Sequence, residues 1–211
     1  MSIVPGGNFG SDAATVTVDA EVLAALARWP NVPDVFGWVR LDMRGQWHLG
    51  HGPVRHPGLA AFLSRNYVVP SVGSCFVQNG PQRAFVTLDY TPWVLRCDTG
   101  ELRRHTGDSV SDPKTAWIDQ NGSVLIAFED SIGVLDDRDL AALIPSFRGS
   151  NADGNPDSAV EEFLAAPETR RLWLALPQGV LPVGAIRRET VPGRYGFDPM
   201  PQPPAPTQPR P

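Results

Sequence analysis

Lysine and cysteine are almost missing from this 211-residue chain: Lys114 stands alone beside the arginines, and Cys75 and Cys97 are the only thiols. Two cysteines cannot make a disulfide framework, so both are expected as reduced, buried small side chains. Long apolar runs are lacking as well, and none approaches the roughly 18 residues of a membrane span. The opening MSIVPGGNFGSD has neither the positive start nor the apolar stretch of a secretory signal. The expected location is the cytoplasm, with no membrane contact. Excess positive charge is also absent. A net charge of -5 opposes phosphate and anionic lipid, and the arginine pairs at 103–104, 170–171 and 187–188 are scattered, so no nucleic-acid partner is expected.

Glycine (20) and proline (22) are plentiful, which favours many turns and short elements over long helices. Three segments share a pattern of tryptophan, aspartate, glycine turn and returning apolar residue. They are Trp38 with Asp42, Gly45 and Trp47; Trp93 with Asp98, Gly100 and Leu102; and Trp117 with Asp119, Gly122 and Val124. Aspartate supplies a side-chain turn bond and glycine a positive φ, so each segment predicts a hairpin. A further reversal is expected at Asn79-Gly80-Pro81-Gln82. The fold class this implies is α+β: an antiparallel β-meander or partly closed sheet of seven or eight strands between residues 36 and 135, with a few flanking helices. The spacing is too irregular and the region too short for a propeller.

Residues 1–17 are expected to lack fixed structure, and 18–198 to form one domain with a break near 148–157. The proline-rich stretch 199–211 reads as an extended tail. Helices are predicted from Asp19 to Trp29, from Pro57 to about Asn66, over Asp136–Ile144, and from a Ser158–Glu161 capping box to about Ala166. Residues 48–56 read as a loop. RLWLAL and VLPVGAI, joined through Pro177-Gln178-Gly179, read as a strand pair.

WPNVPDVFGWVRLDMRGQW (29–47), VQNGPQRAFVTLDYTPWVLR (77–96), His105-Thr106-Gly107 and the Asp-Gln-Asn-Gly turn at 119–122 resemble a family of proteobacterial proteins of unknown function. The resemblance covers about residues 20–135. It implies no catalytic residue, cofactor or substrate.

Two functional readings compete. In the first, Trp38, Arg40, Arg83 and Trp93 make an aromatic and cationic groove for a protein, peptide or planar ligand, and the molecule is a non-catalytic binding module without a cofactor. An outward aromatic patch would also suit a homodimer. The structural alternative for the rings is the core. In the second reading, His48, His51 and His56, with Cys75 further on, surround zinc in a metal-assisted hydrolase, although their spacing matches no established ligand pattern. A Cys97–His105 pair with Asp98 or Asp89 is a weaker nucleophile candidate, since the parity of Trp93 and Leu95 turns Cys97 inward. The acidic residues Glu129, Asp130, Asp136, Asp137 and Asp139 read as helix caps and a solvated face.

Overall fold

The computed structural model describes Ala24 and residues 32–98, 101–150 and 155–204. The expectations for residues 1–17, for the helix over 19–29 (Ala24 apart) and for 205–211 lie outside these residues. The first sheet contains β1 (Val35–Leu41), β2 (Trp47–Leu49) and β3 (Gly52–Pro53). Helix α1 (Pro57–Arg65) comes next, then β4 (Tyr67–Val68), β5 (Gly73–Ser74), β6 (Phe76–Asn79) and β7 (Gln82–Leu88). The second sheet opens with β8 (Trp93–Asp98), β9 (Glu101–Arg104), β10 (Pro113–Asp119), β11 (Val124–Phe128) and β12 (Ser131–Leu135). Short helix α2 (Leu140–Leu143), β13 (Phe147–Gly149), helix α3 (Pro156–Ala165), β14 (Leu172–Leu176) and β15 (Gly179–Ile186) complete it. Helix α4 (Val191–Tyr195) leads to β16 (Phe197–Asp198), which pairs in parallel with β5.

The α+β class stands, and the predicted hairpins form: β1–β2, β6–β7, β8–β9, β10–β11 and β14–β15 are all antiparallel. They do not, however, lie side by side in chain order. The first sheet runs β3-β2-β1-β7-β6-β4 and the second β13-β14-β15-β10-β11-β12-β8-β9, with parallel contacts between β1 and β7, β8 and β12, and β10 and β15. Each sheet thus holds one hairpin, a later hairpin separated from it by helical structure, and a parallel seam between the two, and the second sheet adds the β8–β9 hairpin with its own parallel seam to β12. The order β2-β1-β7-β6 is repeated as β11-β10-β15-β14. Alternation assigns a residue to a face, whereas neighbouring lanes are chosen by long-range packing, so the parallel seams left no local trace.

The β1–β2 and β10–β11 hairpins close with the same turn. Asp42 Oδ1 accepts from the N–H groups of Arg44 and Gln46, both at 2.9 Å, and Asp119 Oδ1 accepts from those of Asn121 and Ser123, also at 2.9 Å. Gly45 (φ +74°) and Gly122 (φ +80°) provide the left-handed position in each. Where the sequence suggested a loop over 48–56, His48–Leu49 and Gly52–Pro53 instead form a two-strand ribbon. Helix α1 starts at Pro57, with His56 Nδ1 accepting from the Leu59 N–H at 3.3 Å, and ends as Asn66 donates to the Phe62 carbonyl. Helix α3 starts before the predicted capping box, because Asn155 Oδ1 caps Asp157 N–H and Pro156 presets the first turn. No helix among the described residues is long and apolar enough to cross a membrane.

The inner face of the first sheet (Val39, Leu41, Val86, Leu88) and the second sheet (Leu95, Leu125, Phe128, Val134) belong to one hydrophobic cluster. Trp47, Tyr67, Trp93 and His105 form the aromatic junction between them, with ring centroids 5.1 to 5.8 Å apart.

Candidate binding face

Buried Val39 and Leu41 alternate with Trp38 and Arg40 along β1, so the latter pair point to the opposite, outer side of the first sheet. The same alternation in β7, where Val86 and Leu88 are buried, turns Arg83, Phe85 and Thr87 outward; Thr87 lies beside Arg40 and Phe85 opposite Phe76. Three of the four expected groove residues therefore share one face. Trp38 is 65% exposed. It stands in a bulge, where Val35 to Val39 of β1 spans only Ala84 to Val86 of β7; Gly37 (φ +74°) permits the bend, and the Gly50 N–H bonds the Trp38 carbonyl at 2.9 Å.

The face is ordered. Phe36 lies flat on Phe85 at 4.6 Å and 4°, and Phe76 tilts against Phe85 at 5.8 Å. The Arg83 guanidinium sits 5.5 Å from the Phe85 ring centre and 5.8 Å from that of Phe76, and Asp34 holds it with bonds of 3.0 and 2.8 Å. Arg40 donates to Asp89 Oδ2 at 2.6 Å and to His48 Nδ1 at 3.0 Å, and His48 Nε2 donates to Asp42 Oδ2 at 2.9 Å. Because arginine can only donate, Nδ1 is the acceptor and the proton resides on Nε2, so both nitrogens of His48 are engaged. Aromatic surface with immobilised guanidinium groups can stack ring-shaped or apolar groups while little side-chain entropy is lost.

Trp93 does not belong to this face. It is 3% exposed, meets Tyr67 edge-on at 5.5 Å, and carries the Arg104 guanidinium 4.8 Å above its ring. The three pattern tryptophans in fact take three environments, since Trp117 is half-buried, covered by Arg194 at 4.2 Å and bonded through Nε1 to the Tyr195 hydroxyl at 2.8 Å. A shared turn pattern fixes the reversal, and the surroundings of each strand decide where its tryptophan goes.

The histidines are separated by role. His48 is tied between Arg40 and Asp42, His51 is exposed in the β2–β3 turn, and His56 caps α1. Among the described residues no three His, Cys, Asp or Glu side chains are grouped to hold a metal. His105 accepts from Val94 N–H through Nδ1 at 3.3 Å, while its buried Nε2 has no hydrogen-bond partner and its ring lies among Trp47, Tyr67 and Trp93. Burial pushes its pKa down to about 3. It is thus a neutral ring packed in the aromatic junction, not the base of a cysteine nucleophile. Cys75 is buried, which pushes its thiol up to about 12.

The acidic residues act as bridges. Asp136, wholly buried, bonds Arg138; Asp139 bonds Arg96; and Asp137 bonds Arg44 across to the β1–β2 turn. Burial pushes the Asp136 carboxyl up, but its side-chain and backbone bonds with Arg138 outweigh this and leave it below the usual range; the Arg96 bond lowers Asp139 directly. Beside this network opens a polar cleft of about 410 Å³ lined by Asp42, Arg44, Gln46, Ser64 and Arg138 among others. Its arginines are already paired with aspartates, so neither presents an unpaired positive charge.

Composition reading missed Phe36, Phe76 and Phe85. The signal was present in the two-residue spacing of Arg83 and Phe85, which puts both on whichever face Arg83 occupies.

An α+β scaffold of mixed sheets with an ordered aromatic outer face describes the molecule in general terms. Residues 18–202 match the profile of the DUF2944 family, described as "Protein of unknown function (DUF2946)", and the chain belongs to that family. The likeness first seen over residues 20–135 thus continues through the carboxy-terminal third. No curated protein matches the chain. Among solved structures it is similar to a DUF1285 family protein from Silicibacter pomeroyi DSS-3, with a TM-score of 0.48 and 13% identity over 78% of this chain and 95% of that one. It is also similar to a DUF1285 family protein from Shewanella baltica OS155, with a TM-score of 0.36 and 13% identity over 50% and 88% of the respective chains.

Proposed function

We propose that this protein is a non-catalytic binding module that captures a protein or peptide partner on the outer face of its first sheet, through Trp38, Arg40 and Arg83 with Phe36, Phe76 and Phe85. The observation that carries this reading is Trp38, a large aromatic side chain left 65% exposed beside rings and guanidinium groups that are themselves held in place. Tryptophan and arginine side chains dominate the energetics of protein recognition when a partner desolvates them. A non-catalytic role is supported by the histidines, since both nitrogens of His48 are bonded and the buried Nε2 of His105 has no partner.

Alanine substitution of Trp38 and of Arg83 tests the proposal. Partner capture by affinity purification is expected to fall at least tenfold, while the thermal midpoint of each variant stays near that of the parent. Retention of the same partner by both variants would refute the assignment of the face.

A further inference from the structure

The carboxy-terminal chain meets the first sheet next to β7. Strand β16 runs parallel to β5, which leads into β6, and β6 is antiparallel to β7. The chain at residue 199 therefore points along β7 from Leu88 towards Phe85 and Arg83. The Pro199 carbonyl accepts from Leu88 N–H at 2.9 Å, in line with β6, so the lane ahead is already filled. The inner face is packed with core side chains, so a chain that continues in that direction over the sheet can do so only on the outer face. Pro201 is buried, and Gln202, Pro203 and Pro204 are exposed as the chain leaves.

Residues 202–211 read QPPAPTQPRP, with proline at 203, 204, 206, 209 and 211. Such a segment favours the polyproline II helix, whose rise of about 3.1 Å per residue gives ten residues a reach of about 31 Å. Phe85 lies three residues from Leu88, about 10 Å along the strand. Proline-rich segments dock on grooves lined by aromatic side chains because the helix is already formed and its rings stack on theirs. Tethering adds an effective concentration on the order of millimolar.

We propose that the aromatic face binds a polyproline II segment and that its resident occupant is this chain's own tail, residues 202–211, which an external partner must displace. The inference rests on the preceding reading of the face as a binding surface, and it specifies the class of ligand. The tail then acts as an intramolecular competitor, lowering the affinity for outside partners.

The test uses the full chain labelled with 15N, with the Trp38 indole N–H signal assigned by Trp38→Phe. Replacing Pro203, Pro204, Pro206 and Pro209 by serine in the full chain should move that signal, and the difference should persist on about tenfold dilution. An unmoved signal would overturn the tail's occupancy, and a difference that disappears on dilution would overturn it in favour of the tail of a second copy. Adding the synthetic peptide QPPAPTQPRP to the serine variant separates the two claims. Saturable movement of the Trp38 signal supports polyproline recognition even if the tail fails as occupant, whereas no movement overturns the ligand class and leaves partner capture to the alanine variants.

Discussion

Trp93→Ala and Trp38→Ala should behave as opposites, and the difference comes from burial. The Trp93 side chain is 3% exposed, packs edge-on to Tyr67 and supports the Arg104 guanidinium. Removing a buried tryptophan costs about 3–5 kcal/mol through lost transfer energy and the cavity left behind. At about 2–4 °C per kcal/mol for a domain of this size, the thermal midpoint should drop by roughly 6–20 °C. Trp38 has no such cavity to leave, so its removal should change stability by no more than about 0.5 kcal/mol. Urea titration followed by far-ultraviolet circular dichroism reads both, the midpoint moving at constant slope. A Trp93→Ala loss below about 1 kcal/mol would refute the core assignment. A Trp38→Ala loss as large as that of Trp93→Ala would refute the outer face as a surface free for binding.

Gly45→Ala should cost more than Gly122→Ala by differential scanning calorimetry. Both need a positive φ, at about 1–2 kcal/mol, but a Cβ at Gly45 would lie 2.7 Å from the His105 Cβ, while that at Gly122 meets nothing within 4 Å. The His105 ring should show no titration by NMR between pH 5 and 8. Its lowered folded pKa means that the unfolded chain takes up the proton first, so stability falls as pH drops from about 6.5 towards 3, and a midpoint near 6.5 in the folded protein would contradict this. Asp136 and Asp139 act in a lower window: with folded pKa values below the ordinary carboxylate range, their contribution is full above about pH 4 and is lost as pH falls further. Asp136→Asn should therefore flatten the acid limb of the stability profile.

The β1–β2 and β10–β11 hairpins were legible because an aspartate three residues before a glycine suits a tight reversal, and the turns at Asp42 and Asp119 adopt that chemistry in full. Helix α1 was legible for a similar reason, since Pro57 and Asn66 mark its ends. The parallel seams were not. Val39 beside Val86 and Ala116 beside Val183 are apolar contacts between distant segments, and either strand would look the same next to another partner. The candidate groove residues divide along the same line. Alternation placed Trp38 and Arg40 together and Arg83 with Phe85, and the seam between β1 and β7 made the two pairs neighbours. Trp93 separated from them because β8 joined the other sheet and turned that side chain into the junction with Tyr67 and His105.

The most direct measurement of the central claim is hydrogen–deuterium exchange of the full chain with and without a captured partner. Protection should appear in residues 35–40 and 82–87, with 93–98 unchanged. Protection confined to the polar cleft, at 42–48 and 138, or to the second sheet would contradict the account.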